Sequence, residues 1–375
     1  MKVAIIHYWF LGKRGGEKVI ESLLKIYPNA DIYTLFYDKK EYGDSLENQK
    51  VYTSILNKSF LKKHYQKIFP LYPLGIKSLK LRSSYDLIIS SESGPAKGIE
   101  IPKGVPHICY VHSPMRYCWS HKEVYLNSVS RSIKPILSFF LERLRRWDET
   151  TIDNVDLYLS NSKNVSKRIE KYYHREAEVV YPPISDELFL KEVSFAKERN
   201  QYLSFGAITP YKKIDLLVDT FNKNGKKLVI IGDGSERKKL EEKSKQNIQF
   251  KTKLTWSEIE IEILKSKALL FPGDEDFGMI PLEVMAYGLP VIAYKKGGAL
   301  ETVIENRKQI ERSSGLFFAK QNVSSIEGSI AFFEANEERF NPKWIKNHAK
   351  AFSEEQFLVN FKLKIETFLN RTIEN

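Results

Sequence analysis

Cysteine is nearly absent. Cys109 and Cys118 are the only two in 375 residues, too few and too close together for a secreted disulfide framework and without the spacing of a zinc site. Long apolar runs are missing as well, since no stretch approaches the roughly 18–20 residues a spanning helix needs. The opening Met-Lys-Val-Ala-Ile-Ile-His runs straight into a strand-like segment, with neither the charged-then-apolar pattern nor the small-residue cleavage site of a signal peptide. A reducing, cytoplasmic setting is therefore expected, with a peripheral place on the inner face of the plasma membrane left open. There is no solenoid-period repeat and no low-complexity tract.

Acidic residues are missing from one long stretch. Between Asn48 and Tyr85 there is none, while Lys50, Lys58, Lys62, Lys63, Lys67, Lys77, Lys80 and Arg82 interleave with Phe60, Tyr65, Phe69 and Tyr72. Residues 1–180 hold 29 of the 59 Lys+Arg and only 19 of the 47 Asp+Glu, so most of the net charge of +12 lies in the first half. A basic surface with aromatics suits an anionic membrane face or a phosphorylated lipid, each cation contributing on the order of 1 kcal/mol. A plain solvated lysine-rich face is the alternative. Nucleic acid is not expected as a partner, because the run carries no nucleic-acid-binding motif.

What is present is regular alternation. With 42% hydrophobic and 13% aromatic residues the chain can build two cores. Strand-like apolar runs at residues 3–8, 31–36, 86–90, 107–111, 156–160 and 178–181 are separated by helix-period segments, notably 16–26, 136–153 and 165–173. The pattern restarts after Tyr181-Pro182-Pro183, with strands expected at 202–205, 227–231, 248–250, 268–271, 290–293 and 315–317. Such βαβ alternation predicts an α/β chain of two Rossmann-like, doubly wound domains. Pro182-Pro183 can continue neither a central strand nor a helix, which sets the boundaries at 1–184 and 185–353. Residues 354–375 are expected as one helix with Phe357, Phe361, Ile365 and Phe368 on a face, packing on its own domain or crossing back to the first.

The string from Phe271 to Ile292, Phe-Pro-Gly-Asp-Glu-Asp-Phe-Gly-Met-Ile-Pro-Leu-Glu-Val-Met-Ala-Tyr-Gly-Leu-Pro-Val-Ile, is the most specific feature. It reads as a buried strand, a glycine-containing acidic loop and a helix that starts near Met279 and stops at Gly288. Ligands of open α/β sheets lie at the carboxyl ends of the strands. The backbone N–H groups of Phe277, Gly278, Met279 and Ile280 would meet an anion such as a diphosphate without requiring a metal. Glu275 and Glu283 would accept from different hydroxyls of one extended ligand. As a glycosidase acid and base they would have to lie about 5–9.5 Å apart, and eight residues across a loop and a helical turn place them farther. On their own, two such glutamates read equally as a chance surface pair.

At this string the sequence resembles the retaining glycosyltransferases of family four, and the resemblance covers nearly the whole chain. It implies the GT-B fold, two Rossmann-like domains facing across a cleft. It also implies that Glu275 contacts the donor sugar, Glu283 holds the ribose, and the loop amides meet sugar and phosphate. Gly206-Ala207-Ile208-Thr209-Pro210-Tyr211-Lys212-Lys213 continues the likeness. The family has a lysine at Lys212, for the diphosphate, but usually an arginine where Ala207 stands, and lysine cannot reproduce the bidentate contacts of a guanidinium. Read alone, Lys212 is a solvated lysine at a helix start. Gly232 opens a turn that lets a nucleotide approach, and Lys253-Leu254 stands where relatives bring backbone to the base.

In the first half, Gly15 and Gly16 open the first helix, where glycine lets a diphosphate approach the backbone or simply caps a loop. Val111-His112-Ser113-Pro114-Met115-Arg116-Tyr117-Cys118-Trp119, Arg145-Arg146-Trp147-Asp148, Asn161-Ser162 and the segment from Arg175 to Pro183 resemble a mannosyltransferase-like branch of the family. His112 is expected at the donor sugar, or as a structural hydrogen-bonder, and Arg116, Tyr117 and Trp119 on the acceptor side. His112, Lys212 and Glu275 are the catalytic candidates.

The resemblance implies a front-face route in which the leaving phosphate takes the acceptor's proton. It needs no cofactor beyond the nucleoside diphosphate sugar, and metal independence is expected. GDP-mannose is the first expectation for the donor and a UDP- or dTDP-hexose the second. The expected acceptor is a saccharide, lipid-diphosphate linked, of O-antigen, capsule or exopolysaccharide assembly. An inactive nucleotide-sugar-binding partner subunit, or an epimerase on the same fold, stays as the alternative.

Overall fold

The apolar runs become strands buried on both faces, which is why they read as near-continuous hydrophobic segments rather than as alternating ones. The structure is a computed structural model that describes residues 1–374 apart from 14, 83, 128, 193, 194, 196 and 197. Its first sheet contains β1 (Val3–Phe10), β2 (Asp31–Tyr37), β3 (Val51–Thr53), β4 (Leu87–Glu92), β5 (His107–Val111), β6 (Leu157–Ser160) and β7 (Glu178–Val179). The spatial order is β3-β2-β1-β4-β5-β6-β7, all parallel, with Ile5 opposite Ile32 and Ile89, and Ile89 opposite Ile108.

The two-residue period of a strand divides the apolar side chains between two layers. Val3, Ile5, Ile89 and Ile108 enter one core, while Ala4, Ile6, Leu35 and Ile88 enter the other, under Tyr72 and Ile76. The helix Glu354–Glu374 completes the first of these layers. Phe357, Phe361 and Ile365, one helical turn apart on a single stripe, are buried there, with the Phe357 and Phe361 rings 6.0 and 6.2 Å from Tyr110.

The second sheet contains β8 (Gln201–Phe205), β9 (Lys227–Ile231), β10 (Ile248–Lys251), β11 (Ser266–Phe271), β12 (Val291–Tyr294) and β13 (Gly315–Phe318). Its order is β10-β9-β8-β11-β12-β13, again all parallel. Both sheets thus reverse direction beside their first strand, between β1 and β4 and between β8 and β11, as doubly wound folds do.

Residues 1–183 with 357–375 form one compact unit and 184–356 the other. Within the second, Ile184 N–H donates to Phe352 C=O at 3.0 Å and Glu354 N–H to the Asp186 carboxylate at 3.0 Å, so the segments by which the chain enters and leaves lie side by side. No helix among the described residues is long and apolar enough to cross a membrane.

Candidate functional site

In the second unit Gly206, Lys212, Glu275 and residues 277–280 lie on or just after the loops that leave β8 and β11 at the switch point, whereas Leu254 follows the edge strand β10. The loop after β8 begins at Gly206, whose φ is +132°, and is pressed backbone to backbone against the loop after β9. A Cβ on Gly232 would stand 1.9 Å from Gly206 C=O, and one on Gly234 would stand 2.2 Å from Ile208 C=O. Only glycine allows that approach. Gly206 N–H donates to Ile231 C=O at 2.9 Å and Ile208 N–H to Asp233 C=O at 2.9 Å. The loop then turns through Pro210–Lys212, with Ala207 exposed.

The loop after β11 is clamped from behind by Gly297 and Gly298. Gly298 N–H donates to Glu275 C=O at 2.8 Å, and a Cβ on Gly298 would stand 2.2 Å from Phe277 Cα. Gly278, at φ +87° in the left-handed region, starts the helix Met279–Met285. The first N–H groups of a helix have no partner within it. Phe277 turns its ring inward beside Phe352, centroids 5.9 Å apart, so what it offers a ligand is its backbone. Met279 and Ile280 are half-buried, and Glu283 is buried.

The structure brings Lys212 and Glu275 together: the ammonium pairs with Glu275 Oε1, the two side chains 15% and 16% exposed. Lys212 Nζ also lies 5.7 and 5.9 Å from the Tyr211 and Phe271 ring centroids. A partly buried pair of opposite charges at the ends of two converging loops holds each group in place. It can meet a ligand that has both an anionic end and hydroxyls. Lys296 pairs with Asp274 at 3.0 Å. Leu254 follows Lys253, a non-glycine residue at φ +54°, in the loop after β10.

In the first unit the switch point lies between β1 and β4. Gly15 and Gly16 begin the helix Gly15–Ile26. A Cβ on Gly16 would stand 2.3 Å from the Tyr8 hydroxyl and 3.4 Å from His7 Cε1. His112 follows β5, with its N–H donating to Glu92 C=O at 2.7 Å and its C=O accepting from Asn161 Nδ2 at 3.0 Å. Its Nε2 lies 2.8 Å from Ser91 Oγ, which in turn lies 3.0 Å from His7 Nδ1. Burial, with His112 adding to it, holds His7 well below the usual imidazole range, so His7 is neutral. Arg116 is half-buried.

Trp119 and Tyr117 are tied inward. The indole N–H of Trp119 donates to Asp148 Oδ2 at 2.8 Å, and the Tyr117 hydroxyl donates to Met115 Sδ at 3.1 Å. Asp148 also accepts from the Tyr173 hydroxyl at 3.0 Å and pairs with the fully buried Lys97. Close by, burial pushes the Glu92 carboxyl up to about 8, against the pull of Lys97. Four of these residues, His7, Ser91, Glu92 and Lys97, carried no sequence motif. Their one signal is a polar side chain on, or just after, a strand that is otherwise apolar.

Two family models adjoin along the chain. One, described as Glycosyl transferases group 1, matches residues 185–351, and the other, described as Glycosyltransferase Family 4, matches residues 14–188. An uncharacterised glycosyltransferase of Methanocaldococcus jannaschii is 26% identical, over 94% of this chain and 93% of its own. The alpha-1,3/1,6-mannosyltransferase ALG2 of Saccharomyces cerevisiae is 25% identical, over 97% of this chain and 84% of its own. Among solved structures, HepE of Anabaena in complex with UDP superposes with a TM-score of 0.69 at 15% identity, covering 98% of this chain and all of that one; at that identity the likeness is one of fold.

Proposed function

The chain belongs to glycosyltransferase family four, with the GT-B fold, and we propose that it moves a hexose, mannose first among the candidates, from a nucleoside diphosphate sugar to a saccharide hydroxyl with retention at the anomeric carbon. The observation that carries this is the Lys212–Glu275 pair on the converging loops after β8 and β11. In the proposed complex the donor parts the pair. The ammonium turns to the diphosphate, the carboxylate to the sugar hydroxyls, Glu283 to the ribose, and the amides of Phe277 to Ile280 share the phosphate and sugar oxygens. The leaving diphosphate then takes the acceptor's proton. Charge developing on it is stabilised by groups already oriented, without a metal. The mannosyltransferase relative supports mannose and the UDP complex of HepE supports a nucleoside diphosphate, with GDP-mannose as the first donor to try.

In this reading the acceptor side belongs to the first unit, through Arg116, four residues after His112. A lipid-diphosphate-linked saccharide of surface polysaccharide assembly is the proposed acceptor, reached by a cytoplasmic enzyme resting on an anionic membrane face. Supporting this, the acid-free stretch exposes Ile55, Phe60 and Leu74. The helix Lys134–Thr150, which packs beside Phe69–Leu71, exposes Ile136 and Phe139. Apolar side chains among cations are what an interfacial surface requires.

Titration calorimetry with a panel of nucleoside diphosphates, followed by turnover of the matching sugar donor, tests the reading. One nucleotide binds, and Lys212→Met weakens it at least tenfold and lowers kcat by about 10²–10³, the usual loss for one transition-state electrostatic contact. No binding across the panel, or an unchanged affinity in both Lys212→Met and Glu283→Gln, overturns it. Ala207 favours one second reading, a partner subunit that binds the donor without turning it over. Tight binding with no turnover under any acceptor would select that.

A further inference from the structure

We propose that Ser91 and His7 are positioning residues for His112, a buried two-link hydrogen-bond chain that holds the His112 ring in the tautomer with its proton on Nδ1. His7 and Ser91 face each other in register on β1 and β4. Both are fully buried. Ser91 Oγ lies 3.0 Å from His7 Nδ1 and 2.8 Å from His112 Nε2, and it has no third side-chain or backbone partner among the described residues. A hydroxyl carries one proton to donate and two lone pairs to accept; were both rings to donate, the Ser91 O–H would be a buried donor with nothing to receive it, so the chain runs either from His7 towards His112 or the other way.

The far nitrogen of His7 decides the direction. His7 Nε2 is buried with no hydrogen-bond partner among the described residues. Were Nδ1 the acceptor, the neutral ring would carry its proton on Nε2, a buried donor with nothing to receive it. Orphaned buried N–H groups are the rarer case, and an unused lone pair is the lesser loss. His7 Nδ1–H therefore donates to Ser91, Ser91 Oγ–H donates to His112 Nε2, and the His112 proton sits on Nδ1.

His112 then presents an N–H and not a lone pair. Adding a proton at Nε2 would displace the Ser91 hydroxyl proton from its only acceptor. The residue is set up to donate a hydrogen bond to an oxygen of its ligand rather than to act as a base. The backbone of His112, held at both its N–H and its C=O, fixes the point from which the ring reaches Ser91. The functional consequence rests on His112 meeting the donor sugar; the tautomer itself does not.

The test uses the full-length protein labelled with ¹⁵N-histidine. Long-range ¹H–¹⁵N correlation at neutral pH reports which ring nitrogen is protonated, and His112→Gln identifies the His112 signals by their loss. The wild type shows His112 protonated on Nδ1 and bare on Nε2. Ser91→Ala converts this to a mixture of tautomers. His7→Asn, whose amide nitrogen stands where Nδ1 stood and still donates, keeps the wild-type pattern. A wild-type His112 protonated on Nε2 overturns the proposal, and so does a single Nδ1–H tautomer that persists in Ser91→Ala. Ser91→Ala also raises the donor KM about tenfold, the loss of one well-set hydrogen bond. A changed tautomer with an unchanged KM would support the chain while removing His112 from the sugar.

Discussion

Glu92 ends β4 fully buried, with one carboxylate oxygen accepting from Lys97 N–H at 2.9 Å and the other without a partner among the described residues. Burial raises its pKa from 4.5 to about 8, so the folded state keeps a proton that the unfolded chain gives up. The stability this contributes is full below the unfolded value and is lost as pH rises towards about 8, since the native state binds more protons across that window. Glu92→Gln, neutral at every pH, is expected to match the wild type near pH 5 and to melt progressively above it as pH rises to 8. A difference between the two proteins that stays the same from pH 5 to 8 would mean that Glu92 binds no more proton folded than unfolded. The sequence marks Glu92 only as a polar side chain ending a largely apolar strand, because its neighbours Lys97 and Asp148 are brought to it by packing. Asp148 lies 56 residues further along the chain. Glu275 and Lys212 were singled out for the opposite reason: each lies in a short string that carries the family resemblance, and the structure brings the two together.

The glycines of the second unit show what one element demands of another. Gly278 was singled out from the sequence for its backbone N–H in a glycine-containing loop, and the structure adds that it stands in the left-handed region, where glycine carries no Cβ penalty. Gly297-Gly298 could not be singled out, because the reason for them is the loop 20 residues earlier, which they touch only once folded. An alanine methyl at Gly298 would meet Phe277 Cα, Phe277 C=O and Asp276 C=O at 2.2, 2.4 and 2.6 Å, all backbone, so the loop must move. Gly298→Ala is expected to destabilise by about 1–3 kcal/mol, the range for overpacked sites, and to weaken nucleotide binding in calorimetry. Gly328, inside the helix Val323–Glu334 with nothing within 4 Å of its Cβ position, is the control. Gly328→Ala should stabilise by about 0.5–1 kcal/mol and leave binding alone. If both variants bind like the wild type, the Gly298 clamp has no part in the site. Strands followed the same division. The long apolar runs were legible, whereas β3, three residues at the sheet edge, carries too short a pattern to be seen. The expected strand to Tyr181 stops at Val179, ahead of Pro182 and Pro183, which cannot donate to a ladder.

At the scale of the whole molecule, chain order and core membership part company at the last helix. Its amphipathic stripe was legible, but which core it completes was not, since an apolar face fits any sheet of suitable shape. Phe361 is fully buried in the first unit's core although 184–356 stand between it and the rest of that unit. Each sheet has its own strands and its own apolar layers, so losing this helix should be felt on one side only. A chain ending at residue 356 is expected to lose amide-exchange protection in β1 and β5, whose side chains Phe357, Phe361 and Ile365 cover, while β8 to β13 keep theirs. Phe361→Ala should do the same more mildly, at about 3–5 kcal/mol for a buried aromatic truncated to alanine. Exchange rising equally in both sheets would mean that the units share one cooperative core. Exchange rising in neither would mean that the helix adds nothing to the layer it covers.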